Sequence, residues 1–284
     1  MLAAFIVLRM PPSTTLAFRP LTLVASMLVG FASLAASARA DTVALGASQD
    51  NSVFQNNVNN SNGGGPGIFS GANGTGSPRR GLIEFNVAGS VPGNATITGV
   101  QLQLTVGQLG GNSTAGRTIG LYGLTANWGE GTVGASTAIG GTGQGTAANT
   151  GDATWNANRF NLSTWAAAGG DHAAAASANA TLNTVALNSV FTWSSAGLVG
   201  DVQGWLNNPA SNNGWELINA AEGTAQSLLG FYSREGQQVG GVAASQLPLL
   251  TITYTVPEPA PAAVLAGGLA ALAVGVAFRR RGQA

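Results

Sequence analysis

Glu130, Asp152 and Glu235 are the carboxylates that could act as general acid and base across a cleft. Glycoside hydrolysis requires such a pair at a defined separation. The single histidine, His172, follows Asp171 directly. Neighbouring residues in an extended chain point to opposite sides, so Asp171 is badly placed to orient that ring, and no activated nucleophile accompanies the pair. All eleven basic residues are arginines and there is no cysteine. Schiff-base chemistry, thiol nucleophiles and lysine isopeptide crosslinks are therefore excluded. The expected role is non-catalytic.

Binding chemistry has more to draw on. Arg80 stands near Glu84, and Arg234 beside Glu235. Guanidinium groups suit bidentate pairing with carboxylates at half-buried positions, so these four residues are expected to form structural ion pairs. Trp165 borders an Ala/Gly-rich stretch with no apolar partners at regular spacing downstream. Sugar rings stack on exposed aromatic faces, which makes Trp165, with Trp128 and Arg159, a candidate carbohydrate contact. The alternative for either tryptophan is an anchor that packs into the core. Asp50 and Asp152 offer oxygen ligands for a structural calcium ion, which would help a domain that has no disulfides.

These residues must be positioned by strands. The chain has 42 glycines, and Asn, Thr and Ser crowd the gaps between short apolar runs. That texture predicts an all-β fold with long turns. Ile83, Phe85 and Val87 alternate with polar residues, as do Val100, Leu102, Leu104 and Val106. Further strands are expected over 118–124, 181–187, 215–219, 227–233 and 249–256, and near Val43 and Val53. Leu198, Val202 and Trp205 recur at helical spacing, with Ser194 or Ser195 to cap the start and Asn207-Asn208-Pro209 to stop it. Stretches 56–78, 129–151 and 166–180 read as loops.

Several fragments then fall in order: Arg80 with Ile83-Glu84-Phe85, Trp128-Gly129-Glu130, Thr154-Trp155, Trp205 before Asn213-Gly214, Ser233-Arg234-Glu235, and Pro248-Leu249-Leu250 with Tyr254. The series resembles the DNRLRE domain, a bacterial extracellular module. The resemblance implies a jelly-roll-like antiparallel β-sandwich related to carbohydrate-binding modules. One departure is the run of about two dozen residues between Trp128-Gly129-Glu130 and Thr154-Trp155, where that family has a short link.

The two ends are of different character. Arg19, an apolar core over 21–34 and Ala38-Arg39-Ala40 before Asp41 read as a secretory signal over residues 1–40, cut by signal peptidase; Met10 is an alternative start. At the other end, residues 260–278 carry no charge and as a helix would span roughly 28 Å, close to a bilayer core. Pro257-Glu258-Pro259 precede that span and Arg279, Arg280 and Arg281 follow it. Residues 257–284 resemble the PEP-CTERM sorting signal, which implies an exosortase as processing enzyme in bacteria that make exopolysaccharide. A plain membrane anchor is the alternative.

The expected domain is thus 41–256. It holds five arginines against ten acids, a net charge of −5. With no basic stripe to neutralise phosphates, nucleic acid is not an expected partner. The expectation is an exported protein of the cell surface or matrix that associates with exopolysaccharide. The rivals are a purely structural surface protein and a polysaccharide-active enzyme.

Overall fold

The alternating run Val100–Val106 lies inside the longest strand of a computed structural model, which describes residues 39–134, 139 and 143–257. In chain order the strands are β1 (Ala40–Gly46), β2 (Gln49–Phe54), β3 (Asn60–Ser61), β4 (Gly67–Ala72), β5 (Pro78–Glu84), β6 (Thr96–Leu109), β7 (Ala115–Gly123), β8 (Thr146–Ala147), β9 (Ala178–Thr184), β10 (Val190–Trp193), β11 (Trp215–Asn219), β12 (Leu229–Tyr232) and β13 (Leu249–Thr255). Helix α1 (Ala196–Asn207), the single turn α2 (Gly236–Gly240) and short 3-10 turns at Gly110–Asn112, Pro209–Ser211 and Ala244–Gln246 join them. Every pairing between strands is antiparallel, and the fold is all-β with few helices.

One layer is built on β6. Its first part pairs with β13, which in turn pairs with β1, and its middle pairs with β10. A second layer runs β2-β5-β11-β7-β9. Strands β4 and β12 connect the two, because β12 pairs with both β6 and β4, and β4 pairs with β5. Side chains of both layers meet in one cluster: Val100, Leu102 and Leu104 of β6, Trp193 of β10, Ile119 and Leu121 of β7, Leu217 of β11 and Ile252 of β13. Each such side chain removed from water stabilises the fold by roughly 1.5–3 kcal/mol. Ile97 and Val100 are both buried although three residues apart, because the register against β13 shifts there and a bulge resets the alternation.

Helix α1 is the one the spacing predicts. Ser195 caps it by accepting the Leu198 amide at 3.0 Å, and Leu198, Val202, Trp205 and Leu206 are buried. Trp205 packs 4.5 Å from the ring of Trp215, whose indole donates to Asp201 Oδ2 at 2.7 Å. The turn α2 is an addition to the single helix expected.

The expected loop over 56–78 is corrected: it contains β3 and β4. Only Ile68 and Phe69 are large in β4, and the rest are Gly, Ser and Ala, so no apolar alternation is visible. Small residues are required there. A Cβ on Gly81 would meet Ile68 at 2.3 Å, and one on Gly71, at φ +110, would meet the Ser227 backbone at 2.6 Å.

Strands β2, β5 and β11 of the second layer are covered on both faces, whereas β9 exposes one of its faces. Val53 and Leu82 on the layer's outer side are covered by Leu124, Trp128, Ala153, Trp155 and Trp165 from the long connection between β7 and β9. Ala40 and Asp41 open β1, and Pro257 ends the described residues. Residues 1–38 of the expected signal segment, Ala38 among them, and Glu258, Pro259 and the tail through Arg279, Arg280 and Arg281 lie outside the described residues. Among the described residues no helix is long and apolar enough to cross a membrane.

Candidate metal centre

Asp50 on β2, Glu130 in the connection after β7, and Glu235 after β12 come together. One carboxylate oxygen from each lies within 4.8 Å of the others. Two oxygens bound to one calcium ion at about 2.4 Å each can be no farther apart than about that distance, so the spacing fits a shared ion. The donors are all oxygen, which suits a hard cation and not zinc.

Backbone contacts hold the cluster. The Asp50 amide donates to Glu130 Oε1 at 2.9 Å, and the Arg234 amide to Asp50 Oδ2 at 2.8 Å. Asn51, fully buried, donates to the Glu130 carbonyl at 2.8 Å and fixes that segment against β2. Gly129 and Gly63 let the chain pass: a Cβ on Gly129 would lie 1.9 Å from the Gly151 carbonyl oxygen, and one on Gly63 2.0 Å from that of Glu130. The Arg234 side chain lies across the surface of the cluster. Its Nε and Nη2 donate to Glu130 Oε1 and Oε2 at 2.7 Å each, and its Nε lies 2.8 Å from Glu235 Oε1.

Two oxygens have no hydrogen-bond partner: Asp50 Oδ1 and Glu235 Oε2. Asp50 is 1% exposed. Burial, reinforced by the Glu235 charge, pushes the Asp50 carboxyl well above the ordinary carboxylate range. Burial also lifts Glu235 to about 7, against the opposing pull of Arg234. With all three carboxylates ionised, the form that binds a cation, they and one guanidinium carry a formal charge of −2. A divalent ion fits that deficit, and the residues present fit calcium.

The expected site residues fall out differently. Asp50 is in the cluster but Asp152 is not. Asp152 is buried behind Gly131 and accepts the Asn149 amide at 2.8 Å, closing a turn. Arg234 and Glu235 do pair. Arg80 and Glu84 do not, because four residues along a strand separate them by about 13 Å. Arg80 instead holds Glu222 in a two-point contact, at 3.0 and 2.8 Å, and Glu84 accepts the Gln49 side chain at 2.7 Å.

The candidate carbohydrate contacts are corrected most. Trp165 is 5% exposed, and its indole donates to the Thr154 carbonyl at 2.9 Å. Trp128 is 1% exposed and donates to the Asn213 carbonyl at 2.9 Å. Both pack against the outer face of the second layer because Val53 and Leu82 must be covered. No stacking platform is available on either, nor on any of the six tryptophans, none of which exceeds 7% exposure. Arg159 reaches the Asn127 side chain at the surface.

A second buried carboxylate was not anticipated. Glu216 on β11 is fully buried, and neither oxygen has a hydrogen-bond partner. Arg80 Nη1 lies 3.9 Å away and His172 Nε2 3.7 Å away. Burial lifts its pKa to about 8, with Arg80 opposing and Glu222 and Asp171 adding to the rise. Gly170, at φ +124, seals it: a Cβ there would meet Glu216 Oε1 at 2.5 Å. Above it lies a cleft of about 410 Å³ lined by Thr125, Ala166, Ala167, Gly170, Asp171 and His172.

In sequence, Glu216 stands between two core residues of a strand and reads as pointing to solvent; only the covering connection buries it. Compared with known proteins, the chain matches no family model, and no curated protein matches it.

Proposed function

We propose that this chain is an exported, non-catalytic protein of the bacterial cell surface or extracellular matrix. In this reading its jelly-roll-type sandwich holds calcium at Asp50, Glu130 and Glu235 and associates through that ion with a carboxylated exopolysaccharide. The observation that carries the reading is the unpartnered, buried Asp50 Oδ1 within a cluster of formal charge −2 that reaches the surface through Glu130 and Glu235. The net charge of −5 over residues 41–256 disfavours direct capture of a polyanion and favours an ion as intermediary. Burial of every tryptophan disfavours stacking on neutral sugars.

Delivery rests on the two ends: a signal segment removed before Asp41 and a PEP-CTERM-like tail that holds the precursor in the membrane until an exosortase acts. The resemblance to the DNRLRE domain supports the sandwich and the glycan partner. Burial of the tryptophans also favours a second reading, a structural surface protein that binds no glycan.

Calcium titration of the exported protein by calorimetry, followed by retention on carboxylated and neutral glycans with and without chelator, tests the proposal. Calcium binding with chelator-sensitive retention on the carboxylated glycan is expected. Absence of calcium binding overturns the metal centre. Calcium binding without retention on any glycan selects the structural reading.

A further inference from the structure

Arg234 occupies the ground that an ion would need. Its guanidinium takes both oxygens of Glu130 and one of Glu235, the two carboxylates of the cluster that reach the surface. It leaves Asp50 Oδ1 and Glu235 Oε2 unpartnered. The cluster therefore holds one positive charge and retains oxygens that this charge does not satisfy.

We propose that Arg234 is the resident cation of this site, that a divalent ion displaces it, and that the released guanidinium then grips a carboxylate of the bound glycan. The inference rests on the calcium reading above and adds to it a competitor, a selectivity and a ligand-contacting residue.

The members of the cluster differ in freedom to move. Asp50 is buried, and the Arg234 backbone is tied to it through the amide. The side chains of Glu130 and Glu235 are 16% and 14% exposed, whereas that of Arg234 is 40% exposed. The arginine stem can turn outward without disturbing a strand. A cation placed among the three carboxylates repels a guanidinium in contact with the same oxygens, so the two occupants exclude each other.

Charge then sets selectivity. Exchanging the guanidinium for sodium or potassium replaces one positive charge with another and leaves the deficit at −2. Exchanging it for a divalent ion reduces the deficit to −1. Only the divalent exchange gains electrostatically, and it frees a planar, two-pronged donor beside an ion that accepts further oxygen ligands. A sugar carboxylate satisfies both: one oxygen on the ion, and the group as a whole in the guanidinium fork.

The test uses the full-length protein in detergent, calcium chloride, potassium chloride and a short galacturonate oligomer that does not gel. Wild type is expected to bind calcium in the presence of excess potassium, and to bind the oligomer only with calcium present. Arg234→Gln is expected to bind calcium at least tenfold more tightly, because its competitor is gone, and to bind the oligomer at least tenfold more weakly in saturating calcium. Equal or weaker calcium binding by Arg234→Gln overturns the exchange while leaving the calcium site standing. Absence of calcium binding by wild type removes the site itself. A second measurement needs no substitution: the Arg234 side-chain Nε–H resonance of wild type should lose its ion-paired position as calcium is added. A resonance unmoved by saturating calcium overturns the exchange.

Discussion

Among the described residues two arginine–carboxylate clusters stand out, and they differ in what their arginine is free to do. Around Asp50 the arginine is the most exposed member, and the acid beneath it keeps an unpartnered oxygen. Around Glu216 the arginine is committed: Arg80 holds Glu222 at two points, lies 5.5 Å over the Trp155 ring and has 17% of its side chain exposed. Burial raises the proton affinity of the carboxylates in both places. The difference lies in the exits. One cluster can trade its cation with solvent; the other is closed by Gly170 and His172 and answers only to protons. The first is suited to a ligand and the second to holding the connection over the second layer.

Five measurements test that contrast. The largest effect is expected at Glu216. Its pKa is about 8 in the folded chain against 4.5 for a free carboxyl, so the folded state binds the proton more tightly than the unfolded one. Stability is therefore highest below pH 4.5 for this group and falls as pH rises through 8, by roughly 5 kcal/mol in total. Urea unfolding of Glu216→Gln should lack this fall and show a more stable protein than wild type at pH 9. Identical pH profiles would mean that Glu216 is not sealed.

Next in size is Arg80→Ala, which leaves Glu222 and Glu216 without their cation and uncovers Trp155. A loss of about 3 kcal/mol is expected by denaturant unfolding. A loss under 1 kcal/mol would show that this arginine is as replaceable as one at the surface.

Asp50→Asn should weaken calcium binding at least tenfold, about 1.4 kcal/mol, as read by calorimetry. Wild-type affinity should also fall as pH drops through 7, because Glu235 takes up a proton there that calcium must displace. Calcium affinity that is flat from pH 8 to 6 would remove Glu235 from the ion's ligands. The smallest effect is expected for Arg159→Ala, within about 0.5 kcal/mol of wild-type stability by thermal unfolding, since its partner Asn127 is also at the surface.

Legibility followed the range of the interactions. The strand Trp215–Asn219 and the helix capped by Ser195 were readable because alternation and helical spacing are local properties of the chain. Strand β4 was not, because its residues are small to admit neighbours that come from elsewhere in the sequence. Trp165 looked unpartnered for the same reason: its partners Val53 and Leu82 are distant in sequence and carry no local mark of the contact. Glu84 looked like the partner of Arg80 because it was near along the chain, yet strand geometry carries it out of reach.

By itself the sequence determined an all-β domain with one capped helix, a net negative charge and two apolar ends, since periodicity, capping and composition act within a few residues or over the whole chain. Tertiary structure alone decided which carboxylates share a site and which tryptophans are hidden. Asp50 and Glu130 are 80 residues apart, and only strand pairing together with a glycine-flanked crossing brings their oxygens within reach of one ion.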